Sequence, residues 1–538
     1  MASPSYVLNT RRPDSPSTTA PALENQPASP AGRRSHGQVL KSSMAIGGSM
    51  GFGMAIGAVR AKVMALLLGP AGVGLFGMYW SISEMARSIA GMGVNSSGVR
   101  QIAEAAGTGD EQRIARTVTT LRRVALVLGG LGALAVAVFS PWISRLTFHD
   151  TAHSRDVALM ALAVLFGEIS AAQGALVQGL RRVADLARAN IYGSFIGTLA
   201  SIAIVYYYYR QGRPTDGVVP SLVCFAAMNI FWSWWYARKI KVPRVRMTAA
   251  QLRTELSGLL KLGLAFMSSG LLFIAAGYLV RVILLRLHGE EAAGYYQAAW
   301  GLAGMYVGFI LQAMGADFLP RLSAVANNNP ECNRLVNEQA EVGLLIALPG
   351  LLATLSIAPL VVTIFYSKHF GPSVEILRWI CLGMVLRVAS WPLGSIILAK
   401  GLRNLFVWTE TLTYASYVAL IAVCVPLLGI DGSGVAFFGM YALYATGIYF
   451  VSRRISGFRW SEANRKLAIL FTPVVAGVFL SWYFLPHVAA AVLGTLVTLG
   501  AAVYSLKLLC ALVSLQRVPP LVRKCLVQFG FIPPAAQA

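Results

Sequence analysis

Arg60 to Arg100 reads RAKVMALLLGPAGVGLFGMYWSISEMARSIAGMGVNSSGVR: the end of one apolar helix, a tight Gly/Pro turn, and a second helix that carries charges. Arg281 to Arg321 repeats that design as RVILLRLHGEEAAGYYQAAWGLAGMYVGFILQAMGADFLPR. Gly289 stands in the place of Gly69, Gly294 in that of Gly74, and Trp300 in that of Trp80. Similarity of this length within one chain marks two copies of a supersecondary unit. In so apolar a sequence it predicts two related helix bundles around a shared site, the build of a transporter.

Composition fixes the solvent. Hydrophobic residues are 56% of the chain and charged residues only 12%, against about 25% charge in a soluble domain. The chain is read as a polytopic membrane protein. Its net charge of +23 does not point to nucleic acid, because the basic residues are spread between hydrophobic runs and form no single basic face. Six cysteines without a CxxC pair lie mostly in apolar runs or basic loops and read as reduced packing residues. His149 and His153 have zinc-like spacing but no third ligand nearby, so no metal site is expected.

Counting runs against the ~20 residues that span ~30 Å of hydrocarbon gives about fourteen helices. They cover 42–66, 75–97, 118–140, 157–178, 189–209, 218–237, 259–284, 293–315, 338–362, 374–398, 405–428, 433–452, 466–485 and 489–513. Continuous runs of this length exclude a β-barrel, whose strands alternate over about ten residues. With a cytoplasmic N-terminus, most of the 45 Lys and Arg fall on the inner side, as the positive-inside rule requires. An even number of spans returns the C-terminus to that side. Tyr206 to Tyr209 and the Trp232, Trp234, Trp235, Tyr236 group sit at helix ends and read as interfacial belts.

The repeat extends further. Ser140-Pro141-Trp142-Ile143 after the third span answers Ala358-Pro359-Leu360-Val361 after the ninth, and Gln178-Gly179-Leu180-Arg181-Arg182 answers Lys400-Gly401-Leu402-Arg403-Asn404. The expected fold is all-α, with two parallel six-helix repeats around a central cavity and two extra C-terminal helices. Its expected divisions are a disordered cytoplasmic extension over 1–38, bundles over 39–240 and 259–455, two added spans over 466–513, and a cytoplasmic tail over 514–538. The Pro-, Ser- and Ala-rich start has too few large apolar residues to build a core. Gly47, Gly51, Gly53 and Gly57, inside an apolar helix with no preceding strand, read as small-residue helix packing and not as a nucleotide loop.

The stretch from Arg60 to Gly77, followed by GVNSSGVRQIAE from Gly93 to Glu104, resembles the first two helices of bacterial O-antigen flippases. These form the polysaccharide-transporter branch of the superfamily that also holds multidrug extruders and the lipid II flippase. The resemblance covers about 42–513, with its specific motif in the first two spans. It implies a bacterial inner-membrane protein that translocates undecaprenyl-diphosphate-linked oligosaccharide by alternating access, among membrane lipids and alongside other polysaccharide-assembly proteins. It implies no cofactor; protons or sodium ions would be the coupling species.

Charges at mid-bilayer cost roughly 2.5–3.5 kcal/mol or more each, so they should face a wet interior or a partner. Glu84 and Arg87 share a helix face near the midplane with Trp80 and Gly91. Arg387 and Glu168 are similarly deep, and Arg60, Lys62, Arg281 and Arg378 lie toward the outer ends. Arg60, Lys62, Arg87, Arg281 and Arg387 are the candidate diphosphate ligands, since guanidinium grips phosphate oxygens with a fork of donors. Glu84 and Glu168 are candidates for ion coupling or charge pairing. Helical phase prevents Arg60 and Lys62, or Arg378 and Arg387, from wholly sharing one cavity. A multidrug extruder would call for an acidic cavity to suit cationic substrates. A membrane polymerase or ligase would need a larger outer loop than the one between the third and fourth spans, and a passive scaffold leaves the intramembrane charges without purpose.

Overall fold

A computed structural model describes residues 30–243, 245 and 247–512. All described elements are helical. The expected tail over 514–538 and most of the extension over 1–38 lie outside the described residues. The first helix, α1 (Pro30–Gly91), begins ahead of residue 38, with Pro30 suited to a first helical turn. From Ala45 onward the chain forms one compact unit.

Eleven segments among the described residues are long and apolar enough to cross a membrane. Three of them, Gly51–Gly91, Gly270–Gly315 and Arg403–Ser456, hold two expected spans each, so the sequence count and the structure agree. Within α1 the break is Gly69 (φ 67°, ψ −174°), and within α8 (Ala249–Ala324) it is Gly289 (φ 82°, ψ −177°). That region of backbone space is essentially open to glycine alone. At these two repeat positions the chain doubles back: the Arg60 guanidinium lies 5.5 Å from the Phe76 ring, and Phe273 lies 6.2 Å from Trp300. The pair α12 (Arg403–Leu428) and α13 (Gly432–Ser456) turns at Gly429, also at positive φ.

Between the hairpins run α2 (Val94–Thr108), α3 (Glu111–Val138), the short α4 (Ser140–Phe148), α5 (Ser154–Gly179), α6 (Val183–Arg210) and α7 (Val218–Ala237). After the second hairpin come α9 (Asn329–Ser356), the short α10 (Ala358–Phe365) and α11 (Ser373–Ala399). The Ser-Pro and Ala-Pro motifs open the short helices α4 and α10, each with Pro in its first turn. The second loop motif aligns two residues away from the expected register. Arg181 (φ 57°) and Gly401 (φ 68°) are the equivalent left-handed residues that end α5 and α11. In both, the next amide reaches back to close the helix end: Arg182 to Val177 at 3.0 Å, Leu402 to Ile397 at 3.1 Å.

In the first half α3 packs on α5, α5 on α7, and α6 on α7; in the second, α11 packs on α8, α9 and α13, and α12 on α13. The first half has two separate cores, one around Tyr79, Val157, Val164 and Leu222, the other around Ile102, Val118, Leu121 and Leu176 and reaching Leu259 of α8. Glu168 lies between them on α5. The second half has a large core that takes in α14 (Glu462–Phe484) and a smaller one around Phe318, Val336, Ile396 and Phe458, with Trp391 packed against both. Buried Arg378 fastens α14: it pairs with Glu375 at 2.7 Å, donates to the Phe479 carbonyl, and lies 4.7 Å from the Phe479 ring. The last helix, α15 (His487–Leu512), packs on α9, where Ser356 and Thr498 hydroxyls meet at 3.2 Å.

The packing expected at Gly51, Gly53 and Gly57 does not occur among the described residues, where a Cβ built on any of them has nothing within 4 Å; the surroundings of Gly47 lie outside the description. Cys224, Cys332, Cys381, Cys424 and Cys510 are free thiols; Cys525 lies outside the described residues.

Candidate functional site

The two hairpins cross at their equivalent glycines. A Cβ on Gly74 would strike the Glu290 carbonyl oxygen and come within 2.9 Å of the Gly294 nitrogen. One on Gly294 would strike the Pro70 carbonyl oxygen and come within 3.2 Å of the Gly74 nitrogen. Pro70 and Glu290 each follow a hinge glycine, so each hairpin offers the other the same surface, as at a two-fold interface. A second crossing joins Gly93, at the far end of the second arm of α1, to Gly263 on the first arm of α8: a Cβ on Gly263 would meet the Met92 oxygen at 2.5 Å. Among the described residues the opposite flank has no such contact at Gly53 and Gly57 on one arm or Gly304 and Gly308 on the other, where nothing lies within 4 Å of a built Cβ. The hairpins therefore touch on one flank and stand apart on the other.

Beside the Gly74–Gly294 crossing lies a cavity of about 220 Å³ between the hairpins, lined by Gly57, Arg60, Phe76, Gln297, Gly301 and Tyr366 among others. Arg60 is held by aromatic faces, its guanidinium carbon 4.6 Å from the Phe225 ring centre and 5.9 Å from that of Trp80. Gln297 accepts from Arg281 Nε at 2.9 Å, and the other arm of the Arg281 fork donates to the Gly277 carbonyl at 2.8 Å. Arg281, the repeat counterpart of Arg60, thus reaches this space through Gln297. Neither arginine pairs with a carboxylate among the described residues. Two uncompensated guanidiniums next to one membrane-embedded cavity make it a place for an anion with several oxygens.

Helical phase correctly separates Arg60 from Lys62. Lys62 Nζ donates to the Thr363 carbonyl of α10 at 2.8 Å and is tied there, away from the cavity. Arg87 also lies elsewhere. It pairs with Glu84 at 2.9 Å and approaches Glu168 at 3.5 Å, while Asn95 donates to the other oxygen of Glu168 at 3.2 Å. A Cβ on Gly91 would come 2.6 Å from that same oxygen, so the glycine makes room for the buried carboxylate. The group holds two carboxylates against one guanidinium.

Arg387 occupies a third place, a separate pocket of about 290 Å³ in the second half, with Trp391, Glu410, Tyr414, Tyr441 and Tyr444. Of the five basic candidates, the structure puts Arg60 on the wall of this cavity, ties Arg281 to it through Gln297, and keeps Lys62, Arg87 and Arg387 apart. Gln297 and Glu410 are absent from the sequence candidates. Glu410 is the one acidic residue within the 405–428 run and could have been found on that ground; neutral Gln297 gives no comparable signal. Among the described residues no three His, Cys, Asp or Glu side chains cluster as metal ligands, and His153 instead meets the Tyr79 hydroxyl at 2.8 Å.

Fold and cavity together define an all-α, multi-pass membrane protein with a cationic space between two equivalent hairpins. The chain belongs to the family described as polysaccharide biosynthesis protein, whose model matches residues 63–375. It is similar to the lipid III flippase of Escherichia coli (strain K12), at 23% identity over 416 residues that cover 75% of this chain and 95% of the relative. Its fold matches that of the lipid II flippase MurJ in an inward closed conformation, with a TM-score of 0.65 and 14% identity over 88% of this chain and 100% of that one. It also matches an inward-facing multidrug resistance MATE transporter of the MOP superfamily, with a TM-score of 0.62 and 16% identity over 78% and 97%.

Proposed function

We propose that the chain is a flippase that carries a lipid-linked oligosaccharide, an undecaprenyl-diphosphate-linked repeat unit of O-antigen or a related surface polysaccharide, across the bacterial inner membrane. The observation that carries this reading is the pair Arg60, on the cavity wall, and Arg281, bonded to the wall residue Gln297, neither paired with a carboxylate among the described residues. Guanidinium stays charged at every accessible pH and matches phosphate geometry, so the pair would hold the diphosphate. The flank where the hairpins stand apart would let the prenyl chain remain in lipid while the sugar diphosphate enters. With both termini cytoplasmic, the Gly74–Gly294 crossing closes the periplasmic end. The bundles over 39–240 and 259–455 would then rock about it, with 466–513 attached to the second. The excess carboxylate of the Glu84, Arg87, Glu168 group would take a proton or sodium ion as the coupling species. No bond is made or broken in such a cycle.

The test is flipping of lipid-linked glycan by the reconstituted protein, read as leaflet distribution. Arg60→Met or Arg281→Met should slow it at least tenfold, the scale of losing a charge-assisted hydrogen bond of about 1.5–3 kcal/mol. Lys62→Met should stay within about threefold, because its ammonium is spent on Thr363. Full-rate flipping by folded Arg60→Met and Arg281→Met variants would refute the diphosphate assignment. In cells, accumulation of unpolymerised units outside the membrane on deletion would instead favour a polymerase.

A further inference from the structure

We propose that the pocket formed by Arg387, Trp391, Glu410, Tyr414, Tyr441 and Tyr444 is a glycan subsite, distinct from the diphosphate cavity, that reads neutral hydroxyl-rich sugars. The proposal rests on the reading of the chain as a carrier of lipid-linked oligosaccharide. Three helices each give the pocket two side chains at one-turn spacing: Arg387 and Trp391 from α11, Glu410 and Tyr414 from α12, Tyr441 and Tyr444 from α13. Such spacing puts both members of a pair on one face. At Gly394 a side chain would come within 2.5 Å of the Tyr444 hydroxyl, so the backbone of α11 leaves that hydroxyl its place.

The chemistry of the walls is selective. Arg387 lies 5.9 Å from the Tyr441 ring, and among the described residues its one donor contact is the soft Met384 sulfur at 3.9 Å. Among the described residues no basic nitrogen lies within 4 Å of Glu410, whose protein partner is the Tyr414 hydroxyl one turn along its own helix, and the Tyr441 and Tyr444 hydroxyls make no hydrogen bond. Polar groups at membrane depth that spend so little hydrogen-bonding capacity on the protein are left to satisfy something in the pocket. A diphosphate is excluded by the Glu410 carboxylate, and an organic cation by Arg387. A sugar fits both, since its hydroxyls accept from guanidinium and donate to carboxylate while its C–H faces lie on aromatic rings. At about 290 Å³ the pocket is at the lower end for ligand sites.

An aromatic track connects the two sites. Trp300, one turn from Gln297, lies 6.2 Å from Phe273, and Phe273 lies 6.0 Å from Tyr414. A glycan whose diphosphate sits at Arg60 and Gln297 would extend along these rings into the pocket.

The experiment measures binding of two fluorescent probes to the full-length protein in nanodiscs: bare polyprenyl diphosphate, and the same lipid carrying a neutral trisaccharide. The wild-type protein should bind the glycosylated probe at least tenfold more tightly. Glu410→Gln, Trp391→Ala and the milder Tyr441→Phe should erase most of that preference, whereas Arg60→Met should weaken both probes alike. Equal wild-type binding of the two probes would overturn the subsite, as would pocket variants that weaken both probes equally or neither. So would displacement of the glycosylated probe by tetraphenylphosphonium in a Glu410-dependent manner. Failure of the wild-type protein to bind either probe would overturn the flippase reading itself.

Discussion

If the Gly74–Gly294 crossing is the seal of one end of the cavity, a single methyl group should break it. Gly74→Ala puts a Cβ against the Glu290 carbonyl and within 2.9 Å of the Gly294 nitrogen, while nonbonded heavy atoms settle near 3.5 Å, so the arms must part by about 1 Å. Overpacking of this kind costs about 1–3 kcal/mol. Alanine also gains about 1 kcal/mol of helix propensity over glycine, but that gain is common to the sealed and open states and drops out of their ratio. A differential cost of about 2 kcal/mol would shift the population roughly 30-fold toward the state in which this end is open. Spin labels on Leu66→Cys and Leu287→Cys, both exposed and near the two hinge glycines, would report the separation by electron–electron distance measurement in a background without native cysteines. Gly294→Ala should give the same widening, and the double variant less than the sum, because one parting relieves both collisions. Unchanged distance distributions in folded single variants would refute the reasoning and make the crossing a fixed strut.

Further outcomes follow from individual side chains. Arg87→Met strands the buried Glu168 carboxylate with Asn95 alone and should cost about 3–5 kcal/mol of stability, read as a lowered thermal midpoint, with much of it recovered by adding Glu168→Gln. Arg181→Gly should raise the midpoint by relieving a left-handed residue worth about 1 kcal/mol, whereas Gly401→Arg should lower it. Arg378→Met should loosen α14 from α11, seen as faster hydrogen exchange in α14, without changing affinity for a diphosphate at Arg60.

Much of this architecture is legible in the sequence because lipid is an undemanding reader of helices: every span must be apolar, and the hinge glycines recur in both copies. The equivalence of Arg60 and Arg281 was visible for the same reason. What each charge touches was not. Lys62 and Arg60 are two residues apart, and only the position of Thr363, far along the chain, decides which of them is tied down. Arg378 lies toward the outer end of its span by position, yet α14 buries it, a contact about a hundred residues away that no local pattern encodes. Gly53 and Gly57 have the spacing of a packing motif, but among the described residues no atom comes within 4 Å of a Cβ built on either. Glu410 escaped notice because a single acid near the basic end of a span resembles an interfacial residue, and only α11 and α13 show it to be walled in.

The placement of Glu168 between two small cores has a mechanical consequence. Apolar packing resists shear, and it is interrupted at mid-membrane in the first half by a cluster of charges. The second half also has two cores, but Trp391 packs against both and joins them, and Arg378 clamps the larger to α14. Any rearrangement of the molecule should therefore be borne by a jointed limb turning on a rigid block, with the knuckle at the level where a coupling ion would sit. Protonating or loading that joint would then alter stiffness as well as charge.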